Sequence, residues 1–239
     1  MQTILVKKNL RRPTQGGNTI VEFALVMVFL VPMFAGSFTI GMALAKDIQV
    51  SNVARDAVVL MVRSVTDPES GLDLSQAQNQ RIIVRAATGL GMNSDAQMDP
   101  SSTGNGVVIL SKVVMVGPAE CSLGVIPAPP GVPTITPWSA GNCPNYGSYT
   151  FAYRVVIGNG TRWSSAIGKP NGTVQANGTI TNVDIANNTS DRVSSFNTVT
   201  GMTLLPSTFA LVSEMYADVS FLNFFSILGN PTLYARSTS

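Results

Sequence analysis

The sequence predicts an α+β protein in which a long N-terminal helix, membrane-spanning and then amphipathic, packs on an antiparallel β-sheet. Three observations lead to this prediction. From Ile20 to Ala45 the only charged residue is Glu22. Apolar residues then recur with a helical period as far as Met61. From Gly106 onward they recur with the period of two that is typical of strands.

The apolar run 20–45 is long enough to cross a membrane as a helix. At ~1.5 Å per residue, a helix of this length exceeds a hydrocarbon core ~30 Å thick. Four basic residues precede the run, at Lys7, Lys8, Arg11 and Arg12. Basic residues flanking a first span indicate a cytoplasmic N-terminus, so we predict that residues 46–239 lie outside the cytoplasm.

Glu22 is the residue of this run that a simple anchor does not explain. A carboxylate costs on the order of 2.5–3.5 kcal/mol at mid-bilayer and less near an interface. If the chain were cut after Gly17, the new α-amine of Asn18 would lie one helical turn from Glu22, where a negative group is favourable. The carboxylate could instead reach the amine of a neighbouring copy and set the register between two helices.

Two alternatives compete with a cut after Gly17. The run could be an anchor that is never cleaved, or a secretory signal peptide cut after Ala45, in the small-residue sequence Ala-Leu-Ala at 43–45. A signal peptide fits less well, because the apolar run is longer than its usual apolar region and Glu22 would have no role.

A basic leader ending in Gly17, then Glu22 and Phe23, then an apolar helix resemble the prepilins of the tight-adherence (Tad/Flp) system. The sequence Glu-Phe-Ala-Leu-Val at 22–26 is similar to that of TadE-like minor pilins, or pseudopilins. Ala-Arg-Asp-Ala at 54–57 is similar to the segment that follows their anchor. Major Flp pilins are very short, so the length of this chain favours the TadE-like branch.

The resemblance implies a pilin-like fold and a structural role in a bacterial type IV pilus of the tight-adherence type, which serves cell adhesion. Residues 1–17 would be a leader removed by a prepilin peptidase, 18–45 a helix in the inner membrane, and 46–239 an extracytoplasmic domain. Glu22 and Phe23 would act in assembly and register. The implied partners are the membrane, the major Flp pilin, other minor pilins, and the inner-membrane assembly platform.

Three helical features follow from the pattern around and after the anchor. Pro32 removes one backbone hydrogen bond and predicts a kink, and the resemblance to pilins implies local melting at this depth. We predict an amphipathic helix at about 46–65 and a second helix at about 73–90, capped by Asp73 or Ser75 and ended by Gly89 or Gly91. The first should bury one face, formed by Val50, Val53, Ala54, Ala57, Val58 and Met61.

The region 106–239 predicts a sheet. We expect strands at 107–116 and 149–157, two short strands within 174–185, a central strand at 209–219 and a last strand at 232–236. Segment 221–228 is strongly apolar; we expect it to pack in the core, and a position on the membrane surface is the alternative. In the second strand one face should carry five residues, Tyr149, Phe151, Tyr153, Val155 and Ile157.

The two cysteines, Cys121 and Cys143, flank a proline-rich segment that includes Trp138 as a possible packing anchor. Both follow the apolar run and so would meet an oxidising compartment, where we expect a disulfide that contributes ~3 kcal/mol by closing a loop of this length. Two buried, reduced thiols are the alternative.

Composition argues against catalysis and against nucleic-acid binding. The chain has no histidine, and none of the common nucleophile or phosphate-binding motifs occurs, so we predict no enzyme, no cofactor and no metal. The net charge of +2 comes from the leader, which holds four of the 15 basic residues. Removing the leader would leave 11 basic residues against 13 acidic ones. The positive charge of the whole chain therefore does not indicate a nucleic-acid partner, and we predict none. Asp184 and Asp191 with nearby asparagines could at most bind calcium weakly, because their spacing fits no known loop.

Two other functional classes stay open from the sequence. A membrane-anchored, outward-facing binding or adhesin domain that never assembles would tolerate the loss of Glu22. A secreted enzyme released after Ala45 would be recovered as a soluble protein beginning near Lys46.

Overall fold

The computed structural model describes residues 16–66, 74, 76–92, 104–122, 143–175, 177–181, 183–218 and 232–239. The chain divides into two compact units, Met1–Met42 and Ala43–Ser239. Predictions made for Trp138, for segment 221–228 and for the caps Asp73 and Ser75 fall outside the described residues.

Helix α1 runs from Gly16 to Thr66 and contains Pro32. A proline inside a helix leaves the carbonyl four residues earlier without its usual donor. The chain is nevertheless helical on both sides of Pro32 and at Pro32 itself. A bend of the helix axis at this residue stays a prediction.

Four antiparallel strands form the sheet of the second unit, in the order β2-β1-β3-β4. Their bounds are Gly106–Met115 for β1, Tyr149–Gly158 for β2, Thr208–Asp218 for β3 and Thr232–Thr238 for β4. All three pairings are antiparallel, which confirms the predicted sheet type. Strand β3 lies between β1 and β4, so its predicted central position is confirmed.

The amphipathic part of α1 covers one face of this sheet. The six residues predicted for its buried face, Val50, Val53, Ala54, Ala57, Val58 and Met61, are all at most 4% exposed. They share a core cluster with Val108 and Leu110 of β1 and with Val155 of β2. Full burial of each larger aliphatic side chain contributes roughly 1.5–3 kcal/mol. The predicted α+β arrangement is therefore confirmed.

Helix α2 spans Ala77–Ala86 and packs in the same core through Ile83 and Val84. It begins later than predicted, after Gln76, whose side chain makes no capping bond. Leu74, which precedes the helix, is instead bonded to a side chain of the helix: Nε2 of the buried Gln80 donates to the carbonyl of Leu74 at 2.7 Å. A short 3-10 turn, Thr88–Leu90, follows and ends at Gly91 with φ 75°, a conformation that favours glycine.

The prediction that five alternating residues of β2 share one face is wrong. The register against β1 shifts between Lys112 and Val113, so that β2 carries a β-bulge. Val155 and Ile157 pack with the helices, whereas Phe151 packs in a second cluster on the other face. One extra residue reverses which side chains point to which face, and a period of two cannot reveal this.

That second cluster is covered by the long segment between β2 and β3. Its buried members include Phe151, Ile167, Val193 and Phe196. Phe196 belongs to a short helix, α4 (Phe196–Thr200), and stacks on the Tyr149 ring with centroids 4.7 Å apart. The sheet is therefore buried on both faces, by α1 and α2 on one and by the largely irregular segment that includes α4 on the other.

The two short strands predicted within 174–185 are not present in the described part of this segment. A single bridge joins Val174 to Ile180, and a turn at Gly178, with φ 85°, connects them. Asn177 and Gly178 occupy the turn, and residues of these two types are depleted in strands.

Cys121 and Cys143 are joined in a disulfide, with Cα atoms 5.6 Å apart. Cys121 lies in helix α3 (Pro118–Ser122), and both cysteines are buried beside Val116 and Ala186. The bond links the end of β1 to the segment that leads into β2. The disulfide therefore closes a covalent loop that contains residues 123–142.

Replacing both cysteines by serine is expected to lower the free energy of unfolding by about 3 kcal/mol, because the unfolded chain regains the freedom that the cross-link removes. Denaturant unfolding of the detergent-solubilised protein measures this difference. The reduced wild-type protein is the control and should match the variant. An unchanged unfolding midpoint in both would contradict a stabilising role.

Candidate functional site

The first part of α1 presents an almost continuous apolar surface. The structure has a candidate membrane span within Thr19–Ser64, and the most apolar 18-residue stretch of that span has a mean hydropathy of 2.2 and is not buried by the protein. Phe23, Phe29 and Phe34 are each more than 60% exposed. Residues 20–45 rise ~39 Å at ~1.5 Å per residue, which exceeds the ~30 Å hydrocarbon core. One N-terminal apolar helix of this kind fits a single-pass anchor.

Two hydroxyl groups on this surface are bonded within the helix. Ser37 Oγ donates to the carbonyl of Met33 at 2.9 Å, and Thr39 Oγ1 donates to the carbonyl of Ala35 at 2.7 Å. Such bonds remove the cost of leaving a polar group unpaired in lipid. The sequence alone did not single out these residues.

Helix α1 also positions the residues predicted for processing and assembly. Gly17 and Asn18 lie in its first turn, and Glu22 lies four residues after Asn18. Residues four apart occupy the same face of a helix, with their Cα atoms separated by ~6 Å along the axis. A cut after Gly17 would therefore place the new α-amine one turn from the Glu22 carboxylate. The neighbouring Phe23 ring is exposed on the apolar surface.

One segment thus combines a glycine and a carboxylate five residues apart, an exposed apolar stretch, and a buried amphipathic face that reaches Val58. This segment matches a known family. Residues 17–58 match the TadE-like protein family. The predicted resemblance is confirmed over this TadE-like segment, which contains Gly17, Glu22 and Phe23, and the match indicates involvement in the Tad pilus system.

Searches of the curated proteins and of the solved structures found no match to the chain. The TadE-like segment ends within the amphipathic part of α1, so the sheet and its loops lie beyond it.

The sheet carries a buried polar cluster on the face opposite the helices, centred on Glu214 of β3. Glu214 is fully buried. Its Oε1 accepts from the backbone N–H of Ala166 at 2.9 Å, from the Tyr234 hydroxyl at 3.2 Å and from the Tyr216 hydroxyl at 3.3 Å. Its Oε2 accepts from the Ser165 hydroxyl. Four donors therefore satisfy one buried carboxylate and bind the covering loop to the sheet.

Arg154 of β2 is the buried cation of this cluster. Its Nε donates to Ser111 Oγ at 3.0 Å, and its guanidinium lies 4.6 Å from the centroid of the Phe151 ring. Burial lowers the pKa of Arg154 to about 10, while the charges of Glu214 and Tyr216 oppose this shift. Within the described part of the chain, Nη2 of Arg154 is buried and has no hydrogen-bond partner.

Four further carboxylates among the described residues 104–218 have structural partners. Asp218 forms an ion pair with Arg162, and Glu120 Oε2 accepts from the Ser207 hydroxyl at 2.8 Å. Asp191 accepts from the backbone N–H of Asn171 at 2.8 Å, and Asp184 accepts from that of Asn187 at 3.0 Å. The sequence offered no pairing for Glu120, Asp191 and Asp218, since these partners lie 20 or more residues away along the chain.

The two candidate calcium ligands, Asp184 and Asp191, serve separate turns in this arrangement. In the described ranges, no three His, Cys, Asp or Glu side chains come together in a way that could hold a metal ion.

The tyrosines of the cluster predict a loss of stability at alkaline pH. Burial and then the Glu214 charge raise the pKa of both Tyr216 and Tyr234 above the usual 10.0. The folded protein therefore holds these protons when the unfolded chain has lost them, so stability falls as the pH rises above about 10. Arg154 has the opposite effect on the pH dependence of stability: because its pKa is lower in the folded state, its contribution to stability increases as the pH rises.

Replacing both Tyr216 and Tyr234 by phenylalanine should therefore flatten the decline of the unfolding midpoint above about pH 10. Denaturant unfolding of the full chain at a series of pH values measures this slope. The exposed Tyr146→Phe is the matched control and should keep the wild-type slope. If the double variant and the control had the same slope, the two tyrosines would not be the cause.

Proposed function

We propose that this chain is a TadE-like minor pilin that a prepilin peptidase cuts after Gly17 and that takes part in assembling a Tad/Flp pilus. The observation that carries the proposal is the family match over residues 17–58. The matched segment contains the glycine of the cut, Glu22 at the fifth position after it, and the apolar helix that a filament core or a membrane would hold.

In this proposal the protein initiates the filament or caps its tip. Before assembly it resides in the inner membrane as a single-pass protein with a cytoplasmic N-terminus and an extracytoplasmic sheet domain. Its partners are the prepilin peptidase, the major Flp pilin, other minor pilins and the assembly platform. We propose a structural rather than an enzymatic role and no nucleic-acid partner, in keeping with a histidine-free chain of low charge.

Two physical features support this role. Most of the large apolar side chains of α1 between residues 20 and 44 are exposed, and such a surface is stable only in lipid or against other helices. Glu22 interrupts that surface near its start, where a carboxylate gains most from a nearby α-amine. In a filament, the Glu22 carboxylate of one subunit could contact the α-amine of a neighbouring subunit and so set the register between their helices.

The N-terminal sequence of the protein recovered from membranes and from the sheared surface fraction tests the proposal. We expect the chain to begin at Asn18, and we expect that start to be lost when the prepilin peptidase is deleted. A start at Met1 in both strains would overturn the processing and leave an uncleaved anchor. A soluble product beginning near Lys46 would indicate a signal peptide and overturn the proposal altogether.

A further inference from the structure

A cavity of about 660 Å³ lies on the face of the sheet opposite the helices. Ile109 of β1 and Arg154 and Val156 of β2 form its floor, and the loop 160–174 forms its walls. Sites that bind organic ligands have volumes of roughly 300–1,000 Å³, so this cavity has room for more than a single ion. It lies beyond the TadE-like segment, and the pilus role does not require it.

The side chains around the cavity favour a negatively charged ligand. Three basic residues line it, Arg154, Arg162 and Lys169, and no Asp or Glu is among the described residues that do so. Arg162 is already neutralised by its ion pair with Asp218. Lys169 is exposed and has no ion-pair partner in the described ranges. Its charge is therefore free to attract an anion.

Arg154 provides the second positive group, in the floor of the cavity. Glu214 is near enough to influence it, but four other donors already occupy the two Glu214 oxygens. Ser111 fills one donor of the guanidinium, and Nη2 is buried without a partner among the described residues. A carboxylate presents two acceptors that match the guanidinium fork, so a bound carboxylate would satisfy this donor after a rotation of the guanidinium.

The remaining lining suits a ring that carries hydroxyl groups. Trp163 is partly exposed at the cavity, and Pro170 and Val174 add apolar surface. The exposed Ser164 provides a hydroxyl that can bond a ligand. An aromatic wall beside a few polar groups is the usual composition of a small-molecule site.

We propose that this cavity binds a small carboxylate-bearing ring compound of the class of acidic sugars. Lys169 and Arg154 bind the carboxylate, Trp163 packs against the ring, and Ser164 bonds a ring hydroxyl. The proposal concerns the sheet domain alone and stands or falls independently of processing at Gly17.

Calorimetric titration of the full chain in a neutral detergent at low ionic strength tests this proposal, with glucuronate, glucose and acetate as probes. We expect glucuronate to bind, and glucose and acetate to bind much more weakly. Lys169→Ala should weaken glucuronate binding about tenfold, the effect of losing one charge-assisted contact. Trp163→Ala should weaken it as well. Added salt should reduce the affinity, because Lys169 is exposed.

Arg81→Ala is the matched control, because it removes one exposed positive charge from helix α2 on the other side of the sheet. It should leave the affinity for glucuronate unchanged. If no probe binds, the proposal is wrong. Equal binding of glucose would exclude carboxylate recognition, and equal binding of acetate would exclude recognition of the ring. If Lys169→Ala and Arg81→Ala reduced the affinity for glucuronate equally, only the net charge of the protein would matter. That result would also contradict the proposed site.

Discussion

Replacing Glu22 by alanine is expected to remove the protein from the sheared pilus fraction and to stop pilus formation where this subunit is needed for initiation. The variant should still insert in the membrane, because deleting a carboxylate from an apolar helix favours insertion by up to roughly 2.5–3.5 kcal/mol. The loss would then be one of assembly and not of anchoring. Immunoblots of the sheared and membrane fractions measure the two separately.

Asp47→Ala is the matched control for this experiment. It removes an exposed carboxylate from the same helix, just after the apolar run, and should leave assembly unchanged. Normal pili in the Glu22→Ala strain would contradict a role of this residue in assembly. The chain would then be better described as a membrane-anchored binding domain that does not enter a filament.

Replacing Glu214 by alanine is expected to lower the free energy of unfolding by about 3–5 kcal/mol, the usual effect of removing one partner from a buried charged cluster. The change would leave Ser165, Tyr216, Tyr234 and the Ala166 N–H without their acceptor. It would also leave the Arg154 charge buried without its negative neighbour. A domain stability of 5–15 kcal/mol makes this loss a large fraction of the total.

Denaturant unfolding of the detergent-solubilised chain measures the effect, and Tyr234→Phe supplies a graded comparison. That variant removes one hydrogen bond to Glu214 and should cost only about 1 kcal/mol. If the free energy of unfolding of Glu214→Ala lay within about 0.5 kcal/mol of the wild-type value, the substitution would behave like an ordinary surface substitution. That result would contradict a stabilising role for the cluster.

The long helix illustrates how far local patterns reach. The buried face of its amphipathic part was predicted residue by residue, from Val50 to Met61, because a helical period is set by neighbours three and four positions apart. The four strands of the sheet were located to within a few residues because a period of two depends on adjacent residues, but the two short strands expected within 174–185 are absent from the described residues there. Within β2, however, the bulge opposite Lys112 and Val113 escaped prediction, since it is a property of the pairing between strands.

By itself, the sequence determined the apolar span, the leader-like N-terminus with Glu22, the family resemblance and the antiparallel sheet, all of which depend on short-range spacing. Only the tertiary structure decided which polar groups meet. Glu214 and Ser165 are 49 residues apart, and Arg154 and Ser111 are 43 apart. Side chains this distant are brought together by strand order and loop course, so the buried cluster and the cavity beside it become visible only in the folded chain.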